Sequence, residues 1–171
     1  MKANFVAVLM GSDSDLSVMQ ATLEILDKFG IAREVRILSA HRTPEATHAY
    51  IHDAEARGCA VFIAAAGLAA HLAGTLAGLS VKPVIGVPME AGPLKGVDAL
   101  LSTVQMPGGI PVACMAIGKT GAKNAGYLAA QIMALNDPEL SATLQLERAE
   151  NAKTILEKDA ALQDPRNRER E

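Results

Sequence analysis

Phe5-Val-Ala-Val-Leu-Met-Gly-Ser-Asp-Ser-Asp15 is the stretch that decides the fold. Its first six residues are apolar without alternation. That suits a central parallel strand covered on both faces, because a strand with one wet face alternates. A glycine and four small polar residues end the run. Leu16, Met19, Leu23 and Leu26 then recur at helical spacing as far as Gly30, placed to cap a helix C-terminus. A buried strand, a polar loop and an amphipathic helix make one βα unit, and such units assemble into parallel sheets.

The alternation continues outward. Val35, Ile37 and Ser39 read as a second, weaker strand. Pro44 stands in the first turn of a second helix, which Gly58 closes. Strands are expected over residues 60–66, 83–87 and 112–117, and helices over 69–79, 97–105 and 122–135. Five strands with right-handed helical crossovers predict an α/β three-layer sandwich, a flavodoxin-like parallel sheet with helices on both faces. After Asp137-Pro138, Leu140, Leu144, Ile155 and Leu162 are sparse apolar positions on a highly charged segment. They predict a projecting C-terminal helix over about 137–163 that another subunit covers. Residues 1–163 are read as one domain including this oligomerisation helix, and 164–171 as a charged, frayed tail.

Composition narrows the function. Half of the 171 residues are hydrophobic but only 3% are aromatic, so Ala, Val, Ile, Leu and Met carry the core. Small side chains bury little area each, which favours a homo-oligomer. A net charge of -3 offers no electrostatic footprint for nucleic acid or an anionic membrane. No apolar stretch reaches the ~18 residues of a membrane span. The first apolar run stops at Gly11, so no secretory leader is expected and the chain reads as cytoplasmic. Cys59 and Cys114 sit in separate apolar runs and are expected as buried free thiols.

Open parallel sheets bind ligands beyond the carboxyl ends of their strands. Three loops fall there: residues 11–15, 39–44 and 66–72. In the first, Ser12 and Ser14 can donate to an anion at a helix N-terminus, and Asp13 or Asp15 suits a ribose diol better than a phosphate. Ser12-x-x-Asp15 is equally a capping box, and the two roles are compatible. In the second, Arg42 is a planar fork suited to phosphate, and His41 has the side chain that titrates nearest neutrality, a candidate acid/base. Thr43-Pro44 supplies an N-cap and a first-turn proline. His71, in the third loop, is either a satisfied buried histidine or a substrate contact. His48 and His52 share a helix face but lack the HExxH carboxylate, so no metal is expected. The residues alone describe an enzyme or binding module for a phosphorylated ribosyl compound.

Five segments carry a resemblance: Met10-Gly-Ser-Asp-Ser-Asp15, Ser39-Ala-His-Arg-Thr-Pro44, Ala66-Gly-Leu-Ala-Ala-His-Leu72, Pro83-Val-Ile-Gly-Val-Pro88 and Val104-Gln-Met-Pro-Gly-Gly-Ile-Pro-Val112. In order and spacing they resemble the signatures of the N5-carboxyaminoimidazole ribonucleotide mutase family, and Arg42 with Ala69-Ala70-His71-Leu72 resembles its class I form. Leu68 stands where the commonest family form has a second glycine, and Ala73 where it has proline. The resemblance implies a cofactor-free isomerase that shifts a carboxyl group by releasing and recapturing CO2. It implies His41 as the catalytic residue and Ser12, Asp15, Ser39, Arg42, Gly67, His71 and Leu72 as substrate-binding residues, in an octamer. The alternatives are a class II aminoimidazole ribonucleotide carboxylase and a non-catalytic, ribonucleotide-sensing flavodoxin-like module. The latter has no use for His41.

Overall fold

The computed structural model describes residues 4–163, so the tail expected over 164–171 lies outside the described residues. Among the described residues one sheet runs in the order β2-β1-β3-β4-β5, all neighbours parallel, which is the flavodoxin-like order. Its strands are β1 (Phe5–Met10), β2 (Arg33–Ile37), β3 (Cys59–Gly67), β4 (Val84–Met89) and β5 (Ala113–Cys114). The helices are α1 (Leu16–Lys28), α2 (Pro44–Arg57), α3 (Leu72–Leu79), α4 (Val97–Val104), α5 (Lys119–Ala134) and α6 (Pro138–Gln163).

Every residue of β1 and β4 is buried, as a run without alternation requires. Phe5, Ala7 and Leu9 meet Phe62 and Ala64 of β3 on one face, where α2 and α3 cover them with Ile51, Leu72 and Leu76. Val6, Val8, Val61 and Ile63 fill the opposite face. Here α1 and α5 pack together: Thr22 donates to the Ala122 carbonyl at 2.6 Å, and a Cβ on Gly126 would lie 2.8 Å from that of Ile25. Small residues let these layers approach closely. A Cβ on Gly86 of β4 would stand 2.3 Å from Thr103 Cγ2.

Element ends follow local chemistry. Gly30 takes φ +64, donates to the Asp27 carbonyl at 3.0 Å, and Ile31 donates to Leu26 at 2.9 Å, a complete Schellman cap for α1. Gly58 ends α2 at φ +104. Three expectations need correction. The fifth strand is regular only over Ala113–Cys114. Beyond it Met115 and Gly118 still bond to Gly86 and Pro88, and the chain then turns so tightly into α5 that a Cβ on Gly121 would overlap the Ala116 carbonyl. Helix α3 starts at Leu72 rather than Ala69, because residues 68–71 are used in a turn. Of the two thiols, both free, Cys59 is buried and Cys114 only partly so.

Chain contacts divide the protein into two compact units, Met1–Met133 and Ala134–Glu171. The second contains α6, capped by Asp137, whose Oδ1 accepts from Glu139 and Leu140 N–H at 3.1 and 3.0 Å.

Candidate active site

A cavity of about 470 Å³ opens beyond the carboxyl ends of β1, β2 and β3. All three sequence-predicted loops contribute, and Ser12, Asp15, Ser39, His41, Arg42, Gly67, His71 and Leu72 all line it. β1 lies between β2 and β3, so the loops that follow these strands emerge side by side.

The loop after β1 folds as a 3-10 turn over Asp13–Asp15 that runs straight into α1. Ser12 Oγ accepts from Ser14 N–H at 3.3 Å, and the Ser14 hydroxyl donates to Ser12 Oγ at 2.9 Å. This is a capping turn closed one residue earlier than a capping box, for the Asp15 N–H bonds to the Ser12 carbonyl instead. Burial pushes the Asp15 carboxyl above its usual 3.8, against the Ser14 hydroxyl and the Ser12 backbone, which pull it down. A half-buried carboxylate with oxygens to spare can accept from a ribose diol.

The loop after β2 is held by its own hydroxyls. Thr43 Oγ1 accepts from Ser39 N–H at 2.9 Å and Ser39 Oγ accepts from Arg42 N–H at 3.1 Å. Thr43 occupies the N-cap position of α2, yet its hydroxyl turns back to Ser39 and makes no capping bond, so the expected N-cap role falls to loop closure. One Arg42 terminal nitrogen donates to the Gly11 carbonyl, tying the second loop to the first. A guanidinium carries five N–H groups, so this bond leaves others for a phosphate. His41 reaches the third loop: its Nε2 lies 2.8 Å from His71 Nδ1, with the rings edge to face. His71 is therefore exposed at the cavity and not a buried core histidine. Leu72, 2% exposed, belongs to the core and offers the cavity an apolar wall.

In the loop after β3, Leu68 adopts φ +55. That conformation costs a branched side chain roughly 1–2 kcal/mol over glycine, so the loop holds a left-handed turn without a glycine at that position. Gly67 runs close against the loop after β4, since a Cβ there would lie 3.0 Å from Ala91 Cβ. His48 and His52 are exposed on α2, away from the cavity lining, and among the described residues no three His, Cys, Asp or Glu side chains gather as a metal site.

Residues 5–154 match the family model described as AIR carboxylase. The chain belongs to the AIR carboxylase family. Similar proteins of that kind include the N5-carboxyaminoimidazole ribonucleotide mutase of Pseudomonas aeruginosa, 49% identical over 89% of this chain and 93% of that protein. The Bacillus subtilis protein of the same name is 50% identical over 89% and 94%. A crystal structure of Treponema denticola PurE superposes with a TM-score of 0.85 at 33% identity, covering 94% of this chain and 99% of that one. Every cavity loop lies inside the span of the AIR carboxylase match.

Sequence reasoning missed one contributor from another strand, Ala91, which follows β4 and lines the same cavity. The signal was present, since β4 ends on the same sheet edge as β3, but no polar side chain there drew notice. Ala40 and Ala69, which lie in the predicted loops but not among the expected site residues, line it as well.

Proposed function

We propose that this chain is an N5-carboxyaminoimidazole ribonucleotide mutase of purine biosynthesis, an isomerase that moves a carboxyl group from nitrogen to carbon. The observation that carries the reading is the meeting of His41 and His71 at 2.8 Å, inside a cavity that also presents an arginine fork and a half-buried aspartate. Arg42 and Ser12 suit the phosphate and Asp15 the ribose diol, which leaves the imidazoles for the base. The carbamate N–C bond breaks to give CO2 and the ring amine, which takes up a proton. The enamine-like ring carbon attacks CO2, forming the C–C bond, and loses its proton to restore aromaticity. One proton enters at nitrogen and one leaves carbon, so a single imidazole, His41, balances both transfers. Its bond to His71 holds the ring in one orientation before substrate arrives. A walled cavity makes recapture of CO2 effectively unimolecular.

The family's description as a carboxylase favours a second reading, in which free CO2 and the uncarboxylated ribonucleotide are the substrates. Incubation with the N-carboxylated ribonucleotide, without ATP or added bicarbonate, separates them. The C-carboxylated product forms faster than the carbamate decays if the mutase reading holds. Product appearing only when bicarbonate is supplied, and equally well from the uncarboxylated ribonucleotide, would sink it.

The proposal includes a cytoplasmic homo-oligomer, an octamer by family resemblance, with no nucleic-acid partner. No helix among the described residues is long and apolar enough to cross a membrane. Support for association comes from α4, where Val97, Leu101 and Val104 share a face and are 51%, 52% and 47% exposed. On α6, Leu146, Ile155, Leu156 and Leu162 are exposed as well.

A further inference from the structure

The β3–β4 ladder ends at the pair Gly67↔Met89, immediately before two loops of the cavity. Beyond that pair the loop after β4 bonds largely to itself, Lys95 N–H to Gly92 and Val97 N–H to Leu94. It is tightly wound, with positive φ at Gly92, Lys95 and Gly96. It approaches the end of β3 and the loop that follows closely at two glycines. A Cβ on Gly67 would lie 3.0 Å from Ala91 Cβ, and a Cβ on Gly92 would lie 2.7 Å from Leu68 Cδ2. The second contact requires a leucine in a left-handed conformation with half its surface in water, 51% exposed. Neither the strain nor the exposure has a use within the core. Both become intelligible if the isobutyl group is needed where it lies, across Gly92.

We propose that Leu68 is a positioning residue that latches the β4–α4 loop, through Gly92, onto the loop carrying His71, and so fixes the cavity wall formed by Gly67, Leu68 and Ala91. Glycine at position 92 is the matching half, because it gives Leu68 a bare backbone to cover and supplies the left-handed turn. Resting on the mutase reading, the latch keeps this wall shut during the interval between loss of CO2 and its recapture. Leu68 carries no group that can transfer a proton or bond to CO2. It acts through the wall that limits where CO2 can go.

The test compares Leu68→Ala, Leu68→Gly and Leu68→Met in the full chain. Leu68→Gly relieves the strained φ, which offsets part of the lost packing, and a melting curve for each variant confirms that it is folded. In ligand-free protein, hydrogen exchange over residues 90–96 is expected to rise several-fold in the Ala and Gly variants and to return toward the parent in Met. In single-turnover conversion of the N-carboxylated ribonucleotide in labelled bicarbonate, solvent label in the product rises and kcat falls about tenfold. KM stays within about twofold, since Ser12, Asp15 and Arg42 are untouched. Exchange over 90–96 unchanged in Leu68→Ala overturns the latch. A KM that rises as far as kcat falls overturns the positioning role, because Leu68 would then be binding substrate directly. A parent chain that makes no product removes the mutase reading instead, and exchange alone then decides whether the latch exists.

Discussion

A ring nitrogen that already holds a hydrogen bond must release it before it can serve a substrate. His41 Nε2 is in that position, engaged with His71 Nδ1. Binding therefore exchanges the His71 partner of His41 for a substrate one. Replacing His41 with Asn keeps a polar group of similar size and removes the proton carrier. The expected result is a loss of about 10²–10⁴ in kcat, with ribonucleotide affinity and thermal midpoint close to the parent. A folded variant that retains turnover within a few-fold removes His41 from the proton transfers. Asp15 carries a different cost. Its carboxyl is raised above the unfolded value of 3.8 by burial, so its favourable contribution to folding is present below that value and lost as pH rises through the folded one. At neutral pH the charged carboxylate opposes folding. Asp15→Asn is expected to raise the melting temperature of the ligand-free protein at pH 7 while weakening ribonucleotide binding. Calorimetry with titration checks both, and a lowered midpoint contradicts the burial argument.

Strand β2 is tied to its neighbours by charged pairs. It lies at the sheet edge and has no fully buried residue. Glu34 accepts a two-pronged bond from Arg57 and another from Tyr50 at 2.9 Å, and Arg33 pairs with Asp27 at 2.7 Å. Arg57 holds the Glu34 carboxyl below its usual 4.5, with Tyr50 helping, and Arg33 holds Asp27 below 3.8. Lowered folded values give stability that is present above the unfolded ones and lost as pH falls through the folded ones. Thermal stability is thus expected to drop as pH falls below the unfolded values and through the folded ones, and Glu34→Gln to flatten that drop while lowering the midpoint at pH 7. Parallel acid limbs in the two proteins would place the sensitivity elsewhere. Both pairs are solvent-accessible, so salt weakens the effect.

Assembly belongs to the whole molecule. The proposed homo-oligomer would bury the exposed apolar residues of α4 and α6 against other copies, in a chain with few aromatics to fill its own core. Light scattering is expected to give a mass several times that of one chain at micromolar concentration. Truncation before Asp137 is expected to lower both the assembly state and the melting temperature. A stable monomer across that concentration range rules out obligate association.

Much of this molecule is written in local sequence. The run from Phe5 to Met10 defines a covered strand because every side chain is apolar, and Gly30 and Gly58 mark helix ends because only a left-handed residue closes those caps. The strand-end rule then brings Ser12, His41 and His71 to one edge of the sheet before any coordinate is known. What it cannot supply is direction. Thr43 reads as a helix cap, but its hydroxyl has two backbone partners within reach, and the fold of the loop chooses Ser39. His71 reads equally as buried or exposed, and the approach of His41, thirty residues away in sequence, decides it. The tight turn of Gly121 over Ala116 and the approach of Gly92 to Leu68 are likewise invisible in local sequence. Periodicity and caps act over a few neighbouring residues, so one chain segment encodes them. Hydrogen-bond choice among competing partners and close backbone approach depend on two segments at once, and only the folded structure brings those together.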